Sequence, residues 1–141
     1  MLEGKGGPFG AVIVNNGKII AVGTNQVTSL NDPTAHAEVM AIRLACQKLG
    51  TFQLLDCELY TSCEPCPMCF GAIYWARPRH IYYAATKLDA AQVGFDDSLI
   101  YQELQTPEEQ RLIKTTHVTT CQPKAKELFT LWQDKKDKIV Y

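Results

Sequence analysis

Three of the six cysteines fall within seven residues, Cys63-Glu64-Pro65-Cys66-Pro67-Met68-Cys69, between a strand-like and a helix-like segment. Thiols crowded in this way restrict the outcome more than any other feature of the sequence. The first residues, Met1-Leu2-Glu3-Gly4-Lys5-Gly6-Gly7, carry no apolar stretch of the kind that directs secretion, so we expect a cytoplasmic protein with reduced cysteines. A thiol cluster in that setting binds metal or does chemistry instead of forming a disulfide framework. The scattered Cys46, Cys57 and Cys121 are expected to be small buried apolar residues.

What surrounds the cluster is an ordinary globular sequence. Its 141 residues are 46% apolar and 21% charged, which fits one domain and excludes disorder as the dominant state. Fourteen basic residues against fifteen acidic ones leave a formal charge of -1, without the basic excess of a domain that lives on phosphate neutralisation. No nucleic-acid partner is expected on that ground. No apolar run approaches the roughly 18 to 20 residues that span a bilayer, so no membrane partner is expected either.

Hydrophobic patterning alternates strands with helices. Ala11 to Val14 and Ile19 to Val22 flank Asn15-Asn16-Gly17, which predicts a β-hairpin, followed by a polar loop from Gly23 to Asn31. Asp32-Pro33 resembles a helix start, and apolar Val39, Ile42, Ala45, Cys46 and Leu49 carry that helix to Gly50. Leu59 to Thr61 forms a strand, and Pro65 and Pro67 bracket a second helix that ends near Arg77. Ile81 to Ala85, apolar throughout, is expected to be a central strand. Thr106-Pro107-Glu108-Glu109 has the form of a capping box, Val118 marks a possible fifth strand, and residues 123–138 suggest a helix with Leu128, Phe129 and Trp132 on one face. The fold class expected is α/β: a three-layer α/β/α domain around one mixed sheet, with residues from about 104 onward as a C-terminal extension.

Two motifs stand at the predicted helix starts: His36-Ala37-Glu38, and Pro65-Cys66-Pro67-Met68-Cys69. Cys66 and Cys69, three residues apart, project from one helical turn, and His36 supplies a nitrogen from the other helix. One imidazole and two thiolates neutralise a zinc ion and leave its fourth tetrahedral position open, as catalytic zinc requires. Water bound there ionises near about pH 7. Glu38, two residues beyond the ligand, reaches that water without joining the coordination shell and can pass its proton to a substrate nitrogen. That chemistry is hydrolytic deamination. Either motif alone is weak, but together they form the H-x-E…P-C-x-x-C combination already known for zinc deaminases. The rival is a closed, non-catalytic zinc module built from His36, Cys63, Cys66 and Cys69. Against it, Cys63 precedes both prolines and lies outside the helical turn, and Glu38 would have no role. An iron–sulfur cluster is disfavoured because the expected Cys-Pro ligand is missing.

Beyond the motifs, Gly6-Gly7-Pro8-Phe9-Gly10-Ala11-Val12, residues 31–38, residues 61–77 and Gly94-Phe95-Asp96-Asp97-Ser98 resemble bacterial guanine deaminases of the cytidine deaminase fold. The resemblance is strong to about residue 103 and loose after it. It implies one Zn²⁺ per chain on His36, Cys66 and Cys69, with Glu38 as proton shuttle. It also implies a small purine base as substrate, held by Asn25, with Ala37 and Cys66 offering backbone N–H groups and Phe9 packed near the base. Asp97 and the terminal Tyr141 would read the guanine edge. The bland alternatives stay open: Asn25 as a turn residue, Phe9 as core, Asp97 as a helix cap and Tyr141 as a frayed end. A homodimer is implied, with exchange of C-terminal segments as one way to place a Tyr141 lid. The relatives carry an amphipathic helix before the Gly-Gly-Pro-Phe-Gly stretch, and its lack of a counterpart here leads us to expect an exposed apolar sheet face. Rival activities are guanosine deamination and deamination of adenosine in tRNA.

Overall fold

Asn16 and Gly17 both adopt positive φ, 48° and 74°, the backbone that closes a two-residue hairpin without splaying its strands. They join β1 (Gly10–Asn15) to β2 (Lys18–Thr24) in the computed structural model, which describes Gly4 and residues 6–141. There follow α1 (Val27–Leu30), α2 (Ala37–Leu49), β3 (Cys57–Cys63), α3 (Pro67–Ala76), β4 (His80–Ala85), α4 (Lys87–Gln92) and α5 (Ser98–Gln105). The chain divides into two units, one ending at Tyr101 and one beginning at Gln102. The second contains α6 (Gln122–Asp134), on which Leu128, Phe129 and Trp132 are exposed.

The sheet order is β2-β1-β3-β4. β1 is antiparallel to both neighbours, while β3 and β4 are parallel and joined through α3. This mixed sheet places the C-terminal ends of β2, β3 and β4 at one edge, together with the N-terminal end of β1. Phe9, Asn25 and Cys66 therefore converge there from distant parts of the chain, at the carboxyl-end position where open α/β sheets bind ligands.

Ile13, Leu54, Leu59, Cys57 and Cys69 are fully buried. α2 meets the sheet through Ala37, Ala41 and Ala45, all buried and four residues apart, against Ala11 and Ala21. Gly23 completes that contact: a Cβ there would lie 2.2 Å from the Ala37 carbonyl oxygen. Val39 is buried with these alanines and Ile42 and Cys46 pack half-buried against the core, as expected, whereas Leu49 is exposed. The outer face of the sheet presents Val22, Tyr60 and Tyr82 to solvent, with the two tyrosine rings stacked 4.5 Å apart.

Several local expectations are corrected. α2 begins at Ala37, not after Asp32, because the Asp32 carboxylate accepts the N–H and hydroxyl of Thr34 (2.8 and 2.7 Å) and turns the chain before a helix can form. The loop after β2 contains α1. β4 is an edge strand among the described residues, and its apolar run is tolerated at an edge because Tyr82 and Tyr83 keep polar tips in water. Val118 precedes a 3₁₀ turn and starts no strand, since one β-branched residue supplies no alternating face. Thr106 caps nothing: Pro107 precedes a 3₁₀ turn without a side-chain cap, and the Thr106 hydroxyl bonds the Gln102 carbonyl. The capping box that does form is Thr86 with Asp89, at the start of α4. α6 stops at Asp134, four residues short of the expected end. Cys57 is buried and Cys46 half-buried, but Cys121 is exposed.

Candidate active site

The late start of α2 makes His36 its N-cap, with extended backbone (φ -70°, ψ 155°) that swings the imidazole off the helix end. Cys66 is the N-cap of α3 in nearly the same conformation, and Pro67 occupies the first turn. Two positive helix ends therefore face one spot, which favours thiolate there. Cys69 follows one turn into α3 and is fully buried.

The ligand atoms of His36, Cys66 and Cys69 all lie within 4.8 Å of one another. His36 Nδ1 is 3.6 Å from Cys66 Sγ and 3.5 Å from Cys69 Sγ. Zinc–sulfur and zinc–nitrogen bonds of ordinary length, opened to the tetrahedral angle, place sulfur and nitrogen about 3.6 Å apart. Both sulfur–nitrogen separations match that spacing, so the three side chains suit a zinc ion. Their protons agree with this. The Cys69 thiol beside it, assisted by His36, draws Cys66 down to about 4 against the burial that opposes ionisation. Cys69, donating to that thiolate and buried, is pushed up. The hydrogen bond with Cys66 raises His36. A metal would replace the proton that the two sulfurs share.

Cys63 is outside this triangle. It is buried, its Sγ faces the Thr86 carbonyl at 3.5 Å, and burial pushes its thiol up. Among the described residues the metal-binding group is one histidine and two cysteines, which leaves a fourth position open.

Glu38, in the first turn of α2, is buried. One carboxylate oxygen, Oε1, accepts the Thr61 hydroxyl at 3.1 Å, while Oε2 lies 3.5 Å from Cys69 Sγ. Glu38, His36 and Cys66 line a cavity of about 740 Å³, ample for a purine base. Asn25, Ala37, Phe9 and Asp97 line it too. Asn25 accepts the Gly7 and Val27 N–H groups through Oδ1 (3.1 and 3.3 Å), which reserves its NH₂ as a donor. Phe9 stands edge-on to Phe95 at 4.9 Å. Asp96, and not Asp97, takes the Ser98 N–H (2.9 Å), so the local turn leaves the Asp97 carboxyl to the cavity, where burial pushes it above the usual carboxylate range. Tyr141 stands at the end of the second unit, exposed.

Two further residues, Lys87 on the cavity wall and Thr61 behind Glu38, carried no signal of their own in the sequence. Lys87 pairs with Glu64 at 3.6 Å and lies over the Tyr101 ring at 4.5 Å. Thr61 was legible only as a strand residue, although the alternation of β3 places it inward beside Leu59 and Cys63.

A buried glutamate beside an open His-Cys-Cys site, on helix ends at one edge of a mixed sheet, defines a zinc-dependent deaminase. Residues 2–85 match the cytidine and deoxycytidylate deaminase zinc-binding region, and the chain belongs to that family. A guanine deaminase of Bacillus subtilis (strain 168) is 59% identical over 138 residues, 98% of this chain and 87% of its own length. The X-ray structure of the guanine deaminase from Bacillus subtilis superposes with a TM-score of 0.92 at 57% identity, over 99% of this chain and 88% of the other. A guanine deaminase from Nitrosomonas europaea is 43% identical with a TM-score of 0.63, over 65% of this chain and 54% of its own. A tRNA-specific adenosine deaminase of Agrobacterium fabrum is 50% identical over 55% of this chain and 51% of its own length.

Proposed function

We propose that this chain catalyses the hydrolytic deamination of guanine, taking up water and releasing xanthine and ammonia. The observation that carries the proposal is Glu38, buried with Oε2 beside the His36-Cys66-Cys69 triangle and lining a cavity with ample room for a purine base. The likeness to a guanine deaminase over 98% of this chain supports the substrate, whereas the likeness to the tRNA-specific enzyme covers 55% of the chain.

Zinc held by His36, Cys66 and Cys69 would supply Lewis-acid activation of water. Glu38 takes the proton that water gives up and delivers it to the purine, so that the amino group leaves as ammonia. The Asn25 NH₂ donates to an acceptor on the purine. Asp97 accepts from guanine N1–H and the 2-amino group, both donors that adenine and cytosine do not present in that arrangement. Ala37, first residue of α2, and Cys66, N-cap of α3, direct backbone N–H groups at the base, and Phe9 packs against it. The active form is a homodimer in the cytoplasm, and residues 1–141 act as one catalytic domain. No helix among the described residues is long and apolar enough to cross a membrane.

The test is a spectrophotometric assay of purified, zinc-loaded protein over guanine, guanosine, adenine and cytosine, with Glu38→Gln alongside. Guanine is the expected substrate, and Glu38→Gln should retain zinc while losing activity by about three orders of magnitude or more. Preference for guanosine or adenine would overturn the substrate assignment. Near wild-type turnover in Glu38→Gln would overturn the role of Glu38.

A further inference from the structure

β3 turns four side chains toward α2: Cys57, Leu59, Thr61 and Cys63, all buried. Thr61 is the one with an oxygen, and a hydroxyl on an otherwise apolar face is costly unless it is paired. Its partner is Glu38 Oε1, 3.1 Å away, and both residues are more than nine-tenths buried. The Gly10 carbonyl, at 3.5 Å, is a more distant second partner. The two oxygens of Glu38 thus face opposite ways, Oε1 to the sheet and Oε2 toward Cys69.

We infer that Thr61 is a positioning residue for the proposed deamination: its hydroxyl clamps Oε1 to the sheet and so aims Oε2, the proton-carrying oxygen, at the reacting water. A glutamate has three rotatable bonds, and a carboxylate free to turn spends little time in the productive arrangement. The helix fixes where Glu38 begins, and Thr61 fixes where it ends. This inference rests on Glu38 being the proton carrier.

The test compares Thr61→Val, which keeps the shape and removes the donor, with Thr61→Ser, which keeps the donor, in the full-length zinc-loaded protein. Thr61→Val should lower kcat roughly ten- to hundredfold, the usual effect of losing one hydrogen bond to a charged group. KM and zinc content should stay within twofold, and Thr61→Ser should recover kcat to within threefold. Isotope-edited infrared spectroscopy supplies a readout independent of turnover. The carboxylate stretch assigned to Glu38, by its loss in Glu38→Gln, should shift in Thr61→Val and not in Thr61→Ser. Should Thr61→Val not fold, Thr61→Ala replaces it in the same comparison. An unshifted stretch, or a kcat within twofold of wild type, overturns the inference, as does a loss of melting temperature without a loss of kcat. Failure of the Glu38 assignment itself looks different, because Glu38→Gln would then remain active.

Discussion

The contact between β2 and α2 ties stability to metal geometry through one atom that is absent, the Cβ of Gly23. Placed on that backbone, it would lie 2.2 Å from the Ala37 carbonyl oxygen and 2.5 Å from the Ala41 nitrogen. Both are backbone atoms, so no side chain can swing away. Comfortable contact begins near about 3.4 Å, so Gly23→Ala must push α2 and β2 apart by roughly 1 Å. The cost falls toward the upper end of the overpacking range, about 3 kcal/mol. For a unit of this size that corresponds to a fall in Tm of roughly 10–20 °C. The displaced turn begins just after its N-cap His36, whose nitrogen stands 3.6 and 3.5 Å from the two sulfurs, already at the tetrahedral spacing. A shift of roughly 1 Å there exceeds what a zinc bond tolerates, and zinc affinity should fall by at least about tenfold. Calorimetry with and without zinc, and zinc competition against a chromogenic chelator, measure the two effects. Gly71→Ala is the control: a Cβ at Gly71, inside α3, meets nothing within 4 Å, so that variant should be neutral or more stable by about 0.5–1 kcal/mol. Gly23→Ala with wild-type Tm and wild-type zinc affinity would falsify the close-approach account.

Two other substitutions probe the site directly. Cys63→Ala should keep one zinc per chain by metal analysis and most of the activity, because its sulfur faces the Thr86 carbonyl and not the triangle; loss of zinc would restore the closed four-ligand site. Asp97→Asn should lower kcat/KM for guanine by about a hundredfold while zinc content is unchanged, since an unpaired donor costs a polar site far more than an apolar one. A variant as selective as wild type would remove Asp97 as the basis of guanine recognition.

The elements that were legible are those whose causes are local. Asn16-Gly17 dictates the hairpin, Gly50 takes the left-handed cap at the end of α2, and Pro67 opens α3. The errors arise where two local signals compete or where the decisive partner is remote. Asp32 carries the chemistry of both a helix cap and a turn, and the Thr34 hydroxyl two residues on decided for the turn. Ile81 to Ala85 has the composition of a buried parallel strand, but composition does not say which neighbour lies on the far side. Beyond residue 103 the apolar residues recur without a firm period, and only α6 was legible there.

The metal ligands were legible because each motif sits on one helix start, so that spacing along the chain stands in for spacing in space. Cys66 and Cys69 are already one turn apart before any tertiary contact forms. The supporting residues have no such shortcut. Thr61 and Glu38 are separated by 23 residues, and Gly23 acts on a turn that begins 14 residues later. Each is unremarkable in its own segment: a threonine in a strand, a glycine near a strand end. Both acquire their meaning when β2 and β3 run in the same direction on either side of β1, which brings their inward faces under one helix. Sheet topology therefore decides how the proton carrier is aimed, while local spacing decides only which residues can hold the metal.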